Sequence, residues 1–86
     1  TAPARCRRSL VGWLRDDDTV VIVTADDAVP AVWPAGWSRR IVPEGFVIID
    51  AGRDVVAREG QLLRIPGRMV DGSWMVCRGI TMADAD

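Results

Sequence analysis

The sequence predicts an all-β domain, a small antiparallel barrel, and three observations support this prediction. Residues 45–67 contain three short β-rich runs separated by glycine-containing turns, which is the pattern of a small curled antiparallel sheet. Seven candidate strands follow one another along the chain at a spacing of about 8 to 12 residues. A helix is hard to place, because the one competing window, residues 53–63, contains Gly60 and two consecutive valines.

The first part of the chain predicts a hairpin followed by a weaker strand. Residues 9–14 and the β-branched run 19–24 form the hairpin around an acidic turn. Gly12 suits a bulge or a tight bend within the first of these strands. Residues 28–33 form a third strand, and Pro30 favours an edge position for it because proline has no N–H to donate.

Four further strands are predicted after a turn at Trp33-Pro-Ala-Gly-Trp37, where proline fixes φ and glycine permits the reversal. These strands span residues 46–49, 54–58, 61–65 and 74–78, with later turns at Pro66-Gly67 and Asp71-Gly72. We expect residues 1–86 to form one barrel domain, with frayed ends at 1–5 and 81–86.

The strand at residues 46–49 is apolar on both of its faces. In so short a chain this favours a closed barrel whose outer side is covered by a loop or a partner. The fold class is therefore a five- to seven-stranded antiparallel barrel, OB-like or SH3-like. The predicted core residues are Phe46, Ile48, Val56, Leu63, Ile65 and Val76.

Composition excludes several kinds of chemistry. The 86 residues are 49% hydrophobic and carry a net charge of −1, which predicts a globular domain and argues against a general nucleic-acid binder. There is no histidine, so Ser-His-Asp and Cys-His catalysis and imidazole metal sites are excluded. Two cysteines cannot form an all-thiolate zinc site, which needs four.

The acidic residues predict no catalytic or metal site either. Asp16-Asp17-Asp18 are consecutive, so their side chains diverge, and no calcium-loop pattern follows them; they are expected to form a solvated turn. Neither Glu44 nor Glu59 has a spacing that pairs it with an aspartate as acid and base. We therefore expect a protein that is not an enzyme and that has no cofactor and no metal.

Cys6 and Cys77 are candidates for a disulfide, because the terminal strands of small barrels commonly come close together. The bond would close a loop of about 70 residues and contribute on the order of 4 kcal/mol. The alternative is two unpaired thiols that act as small hydrophobic residues. The bridge is expected in an exported protein and the free thiols in a cytosolic one. The chain starts at Thr1 without methionine, which suggests either a mature protein that has lost an export signal or membrane segment or a trimmed piece of a longer chain.

Trp33, Trp37, Arg39 and Arg40 form the candidate binding surface. Two tryptophans on a Pro/Gly turn, followed by two arginines, can stack on sugars or bases or act as a hot spot for a protein partner. Tryptophans in a small barrel also pack in the core or at its rim. Spacing alone does not separate these interpretations.

Two family resemblances cover the middle of the chain. Trp33-Pro-Ala-Gly, then Gly45-x-Val-Ile-x-Asp-x-Gly and Val55-Val-Ala-Arg-x-Gly-x-x-Leu, resembles small exported proteins and lipoproteins of high-GC Gram-positive bacteria. Pro43-x-Gly-x-Val-x-Ile-Asp50 and the Ala57-x-x-Gly60 turn, with the Leu-x-Ile and Trp-Met-Val strands, are similar to the OB-fold domain of NfeD-type membrane-associated proteins. Both resemblances imply a small barrel, and the first implies a location outside the cytoplasm.

These observations lead to two functional hypotheses. The first is a non-enzymatic extracytoplasmic accessory or protein-interaction domain, associated with a membrane only through a segment absent from this chain. The second is an OB-type module that binds oligosaccharide or single-stranded nucleic acid through Trp33, Trp37, Arg39 and Arg40. A protein is the favoured partner, an oligosaccharide is the second, and the net charge argues against nucleic acid.

Overall fold

Nine β-strands make up the fold in the computed structural model, which describes Cys6 and residues 8–83. The strands are β1 (Arg8–Asp17), β2 (Thr19–Val23), β3 (Ala28–Val32), β4 (Ser38–Val42), β5 (Gly45–Ile49), β6 (Val55–Arg58), β7 (Leu63–Val70), β8 (Ser73–Val76) and β9 (Thr81–Met82). The predicted all-β class is confirmed. Within the described part of the chain, no helix has the length and apolar character needed to cross a bilayer.

Five of these strands close into a barrel. Their order is β1-β2-β3-β8-β7, and β7 pairs back with β1. The neighbouring pairs are antiparallel except for β3 and β8, which run parallel. The short strand β9 adds to the sheet beside β7. The predicted small barrel is thus present, with one parallel contact that the hairpin pattern did not indicate.

The first barrel strand changes partners halfway along its length. Residues 8–12 of β1 pair with β7, and residues 13–17 pair with β2. Gly12 lies at the change and is buried, and a Cβ there would lie 2.1 Å from the carbonyl oxygen of Val23. The close approach of the β2 backbone therefore leaves no room for a side chain at position 12.

Strand β3 has neighbours on both sides, which differs from the expected edge position. Pro30 is the last residue to pair with β2, and Ala31 is the first to pair with β8. Proline has no N–H to donate to a neighbouring strand. Position 30 tolerates it because it lies where the pairing of β3 passes from β2 to β8.

The remaining strands form a meander, β4-β5-β6, inserted between β3 and β7. Its inner face shares one core with the barrel. The core residues are Leu14, Val20, Ile22, Phe46, Ile48, Ala57, Leu63, Ile65, Trp74 and Val76. Five of the six predicted core residues are in this set, and Val56 is partly buried against it. The sequence pattern predicts β4 only as a lead into β5, whereas it is a full strand of the meander.

The outer face of β5 is also buried, and Ile49 on this face lines a hollow together with Ala51 and Arg53 of the loop that follows β5. Val47 is 3% exposed, and its cross-strand neighbours on that face are Arg40 and Arg58. Long arginine side chains can lay their aliphatic stems over apolar surface while the guanidinium stays in water. Val47 is therefore flanked by an arginine on each neighbouring strand.

The C-terminal end corrects one expectation. Thr81 and Met82, expected to belong to a frayed end, pair with Arg64 and Leu63 in β7. The next residue, Ala83, donates its N–H to the carbonyl of Leu62 at 3.0 Å. Residues 1–5 and 84–86, where fraying was also expected, lie outside the described residues.

Candidate functional site

The two cysteines form a disulfide. Cys6 and Cys77 are bonded, their Cα atoms are 6.1 Å apart, and they are separated by 71 positions in sequence. The backbone N–H of Cys77 donates to the carbonyl of Pro66 at 2.8 Å. The bond therefore ties the segment before β1 to the residue after β8, as predicted, and the free-thiol alternative is wrong. Neither thiol is left for chemistry.

Trp33 and Trp37 lie at the two ends of a tight turn. The N–H of Trp37 donates to the carbonyl of Pro34 at 3.1 Å, and Gly36 has φ +86°, as a type II turn requires at that position. The two rings stack with centroids 6.1 Å apart and an angle of 20° between their planes. Both side chains are partly buried against the core. The turn thus holds a half-buried pair of rings, with limited open surface.

Arg39 and Arg40 do not extend this pair into one surface. They are consecutive in β4, so their side chains point to opposite faces of the meander. Arg39 is in register with Ile48 on the core side, and its guanidinium pairs with the carboxylate of Asp16 in β1. Arg40 is in register with Val47 on the outer side. The structure brings the tryptophans together and separates the arginines.

A hollow of about 440 Å³ lies beside Trp37. Its apolar lining comes from Trp37, Val56 and Ile80, which all pack partly buried against the core. Its charged lining comes from Asp50 and Arg78. Asp50 is held in place because its Oδ1 accepts the N–H of Asp54 at 2.9 Å. This Trp37 hollow offers an aromatic wall, an acid and a base, which suits a small ligand with one apolar face.

The outer wall of the barrel carries an exposed apolar surface that the sequence did not indicate. We call it the wall patch; it consists of Trp13, Val21, Val23, Pro30, Val32 and Met75. Its members are cross-strand neighbours: Trp13 with Val23, Val21 with Pro30, and Val32 with Met75. The most exposed large side chains are Trp13 at 44%, Val32 at 41% and Met75 at 37%, while Val21 forms the buried floor between them. The patch members therefore lie on the neighbouring strands β1, β2, β3 and β8, exposed on β1, β3 and β8 and largely buried on β2.

Arginines border the wall patch. Arg15 is in register with Val21, and Arg68 is in register with Met75, so both share the outer face with patch residues. Arg15 also lies 3.4 Å from the carboxylate of Asp17 on the same strand. The wall thus combines an apolar centre with two bordering arginines, of which Arg15 is paired with Asp17 and Arg68 has no carboxylate within 4.0 Å among the described residues.

Only Asp18 of the three consecutive aspartates lies in the predicted turn, because Asp16 and Asp17 belong to β1 and pair with β2. Asp16 reaches Arg39, Asp17 reaches Arg15, and Asp18 makes the reversal between β1 and β2 with φ +66°. Across Cys6 and residues 8–83, no group of three or more cysteine or acidic side chains is arranged to hold a metal ion.

No protein-family model, no curated protein and no solved structure matches this chain. Two places on the described surface remain as candidates for function, the wall patch and the Trp37 hollow. One of the predicted site residues, Trp37, lies at the second of them.

Proposed function

We propose that this chain is a non-enzymatic protein-interaction domain that works outside the cytoplasm and docks a partner through the wall patch. The carrying observation is an apolar surface on four neighbouring strands, with exposed large side chains on β1, β3 and β8. Such surfaces on soluble domains mark interaction sites. Tryptophan, methionine and arginine, which lie at its centre and border, are enriched at protein interfaces, and tryptophan and arginine are also frequent hot spots.

The charges around the wall patch favour a partner of the opposite charge. Arg15 and Arg68 border the apolar centre, so two copies of this chain meeting through the patch would bring arginines together. Like charges juxtaposed across an interface are unfavourable, whereas carboxylates facing these arginines would steer association. The proposed partner is therefore a different protein with an apolar surface edged by acidic residues.

The barrel itself supports an OB-type assignment. A closed five-stranded barrel with a long insertion between its third and fourth barrel strands suits this class, and OB modules bind through the face of strands 2 and 3. Here that face carries Val21, Val23, Pro30 and Val32. Beside it on β1 lie one ring, Trp13, and one cation, Arg15, which is paired with Asp17; this mostly apolar face favours a protein ligand over a nucleic acid.

The disulfide supports the proposed location. Structural disulfides persist in oxidising compartments and are rare in the cytosol of most cells. This one joins residues 71 positions apart in a small domain, where a cross-link compensates for a limited core.

Site-specific photo-crosslinking tests the proposal. A photoreactive phenylalanine derivative replaces Val32 in the wall patch or, as a matched control, Val55 on the outer side of β6; both valines are on strands and are similarly exposed, at 41% and 45%. In cells that make the protein naturally, we expect a discrete adduct from position 32 that Met75→Asp abolishes. Equal adducts from both positions, or none from position 32, would contradict the proposal.

A second candidate function is oligosaccharide binding at the Trp37 hollow. The observation that favours it is the combination of an aromatic wall with Asp50 and Arg78, which can hydrogen-bond hydroxyl groups. Single-stranded nucleic acid is less favoured, because Arg39 and Arg40 lie on opposite faces and form no basic groove.

Glycan titration separates this second function from the first. The readout is tryptophan fluorescence, with Trp37→Ala compared against Trp13→Ala as the matched control. Sugar binding at the hollow is lost in the first variant and kept in the second. No saturable change at millimolar glycan would remove this candidate.

A further inference from the structure

We propose that a partner also binds by adding a β-strand to the open edge of β4. This surface lies on the meander and is separate from the wall patch, so the inference goes beyond the docking site proposed above. Extended peptides commonly recognise a sheet through such an edge, where backbone hydrogen bonds provide affinity and alternate side chains provide specificity.

The two edge strands of the meander, β4 and β6, differ in how well they are protected from pairing with another strand. The edge at β6 is blunted: the N–H of Arg58 donates to Oε1 of Gln61 at 3.0 Å, and the N–H of Gln61 donates to the carbonyl of Arg58 at 3.3 Å. The register between β5 and β6 also shifts at Ile48/Ile49. Capping and irregularity are ways in which proteins protect an edge from pairing.

No such protection covers β4 among the described residues. Its five residues pair in unbroken register with β5, and the strand order β4-β5-β6 leaves its other side without a strand. Residues 38–41 are all exposed, and Ile41 is 66% exposed. Ile41 is therefore an apolar side chain at an open edge, available to a partner.

The hydrogen bonds at β6 establish which way the backbone of β5 points. Glu59 donates its N–H to the carbonyl of Phe46 at 3.0 Å, and the N–H of Arg58 points away from β5 toward a side chain. Val47 and Arg58 are therefore a non-hydrogen-bonded pair of the antiparallel ladder. Consequently the N–H and carbonyl of Val47 point to its other neighbour, β4.

This orientation determines which groups of β4 are free. Arg40 lies opposite Val47, so its backbone groups point inward and bond β5. The residues on either side, Arg39 and Ile41, then direct their N–H and carbonyl groups to the open edge. Two donors and two acceptors are thus presented to an incoming strand, next to one apolar side chain.

A second copy of this chain is a poor occupant of the edge. Antiparallel self-pairing centred on Arg39 or on Arg40 places two arginines directly opposite each other, which is destabilising. Pairing centred on Ile41 places Pro43 opposite Arg39, and proline has no N–H for the ladder.

The occupant that fits is a strand of another protein in which acidic and apolar residues alternate. Its acidic side chain would lie opposite Arg40, whose guanidinium has no carboxylate within 4.0 Å among the described residues. Its apolar side chain would lie on the other face, beside Ile41. Opposite charges and apolar pairs across strands both stabilise a ladder.

A synthetic heptapeptide of alternating glutamate and valine, blocked at both ends, is the probe. Titrated into the isotopically labelled protein, it is expected to shift the amide signals of Arg39 and Ile41 saturably, and a lysine-valine peptide is expected not to. A glutamate-valine peptide N-methylated at its central valine should bind about tenfold more weakly or worse, because it loses a backbone donor.

Two proline variants test the backbone orientation. Ile41→Pro removes an N–H from the open edge and should weaken peptide binding while the fold is kept, whereas Arg40→Pro removes an inward N–H and should lower the melting temperature. If Ile41→Pro does not fold, the N-methylated peptide still tests whether backbone hydrogen bonds at the edge of β4 contribute to peptide binding.

Peptide-induced shifts at the wall patch, or unchanged affinity after N-methylation, would overturn strand addition at β4. A dimer of the protein alone that Ile41→Pro dissociates would overturn the choice of occupant. Crosslinking from position 32 is independent of all these results, so failure of the edge and failure of the wall patch are distinguishable.

Discussion

Gly67 lies against the indole ring of Trp74 inside the barrel. A Cβ at position 67 would lie 2.5 Å from Nε1 of Trp74 and 2.2 Å from the carbonyl oxygen of Met75. The indole N–H is buried and has no hydrogen-bond acceptor among the described residues. Trp74 is therefore positioned by packing on bare backbone, and the barrel closes around that contact.

Gly67→Ala is predicted to destabilise the protein strongly. The methyl group meets a backbone oxygen that cannot move without disturbing the β7–β8 ladder, so the loss should reach the upper part of the usual overpacking range, about 3 kcal/mol. Gly72→Ala is the control: nothing lies within 4 Å of its Cβ, but its φ is +83°, so it should lose about 1 kcal/mol. Denaturant unfolding of both variants measures the difference, and equal losses would contradict the steric explanation.

Local patterns in the sequence were sufficient to predict most of the strands. Glycine, proline and Asp-Gly turns, together with β-branched runs, marked seven strands. Strand β4 lacked this signal, because four of its five side chains are exposed and no apolar alternation is visible. The two-residue strand β9 is set by pairing with β7, which a local pattern does not report.

The candidate functional surfaces were harder to predict, because they depend on contacts between distant segments. Trp13, Val32 and Met75 come from three separate strands and meet only when the barrel closes. Arg39 and Arg40 are adjacent in sequence, but a strand sends neighbours to opposite faces, and no local pattern marks that segment as a strand. The disulfide was predictable because barrel closure brings the chain ends together.

Removing the disulfide should lower stability substantially. The Cys6→Ser/Cys77→Ser double variant loses a cross-link between residues 71 positions apart, and the chain-entropy model predicts a loss of about 4 kcal/mol. For so small a domain this is a large part of the total stability. Thermal unfolding of the oxidised protein and the double variant measures the effect. An unchanged melting temperature would mean that the bond does not constrain the unfolded chain as proposed.

The ion pair between Arg39 and Asp16 should contribute little to the free energy of unfolding. It links the meander to the β1–β2 hairpin, but both side chains are partly exposed, so screening limits its contribution to about 1 kcal/mol or less. Arg39→Ala is compared with Arg40→Ala, which removes an arginine from the same strand but no ion pair. The difference between the two should shrink in 1 M salt, where the Debye length is about 3 Å. A difference that persists in high salt would indicate lost packing instead.

Charge placed in the wall patch should change the surface without changing the fold. Val32→Asp alters a partly exposed position, so its effect on the free energy of unfolding should stay within about 1 kcal/mol. The same change at Val55 has a similar exposure but lies outside the patch. Because Val32 lies beside the exposed Met75 in the patch, Val32→Asp should reduce retention on a hydrophobic-interaction column and binding of an apolar fluorescent dye more than Val55→Asp does. Equal reductions in the two variants would show that the wall patch is no more adhesive than the rest of the surface, and its role in docking would have to be abandoned.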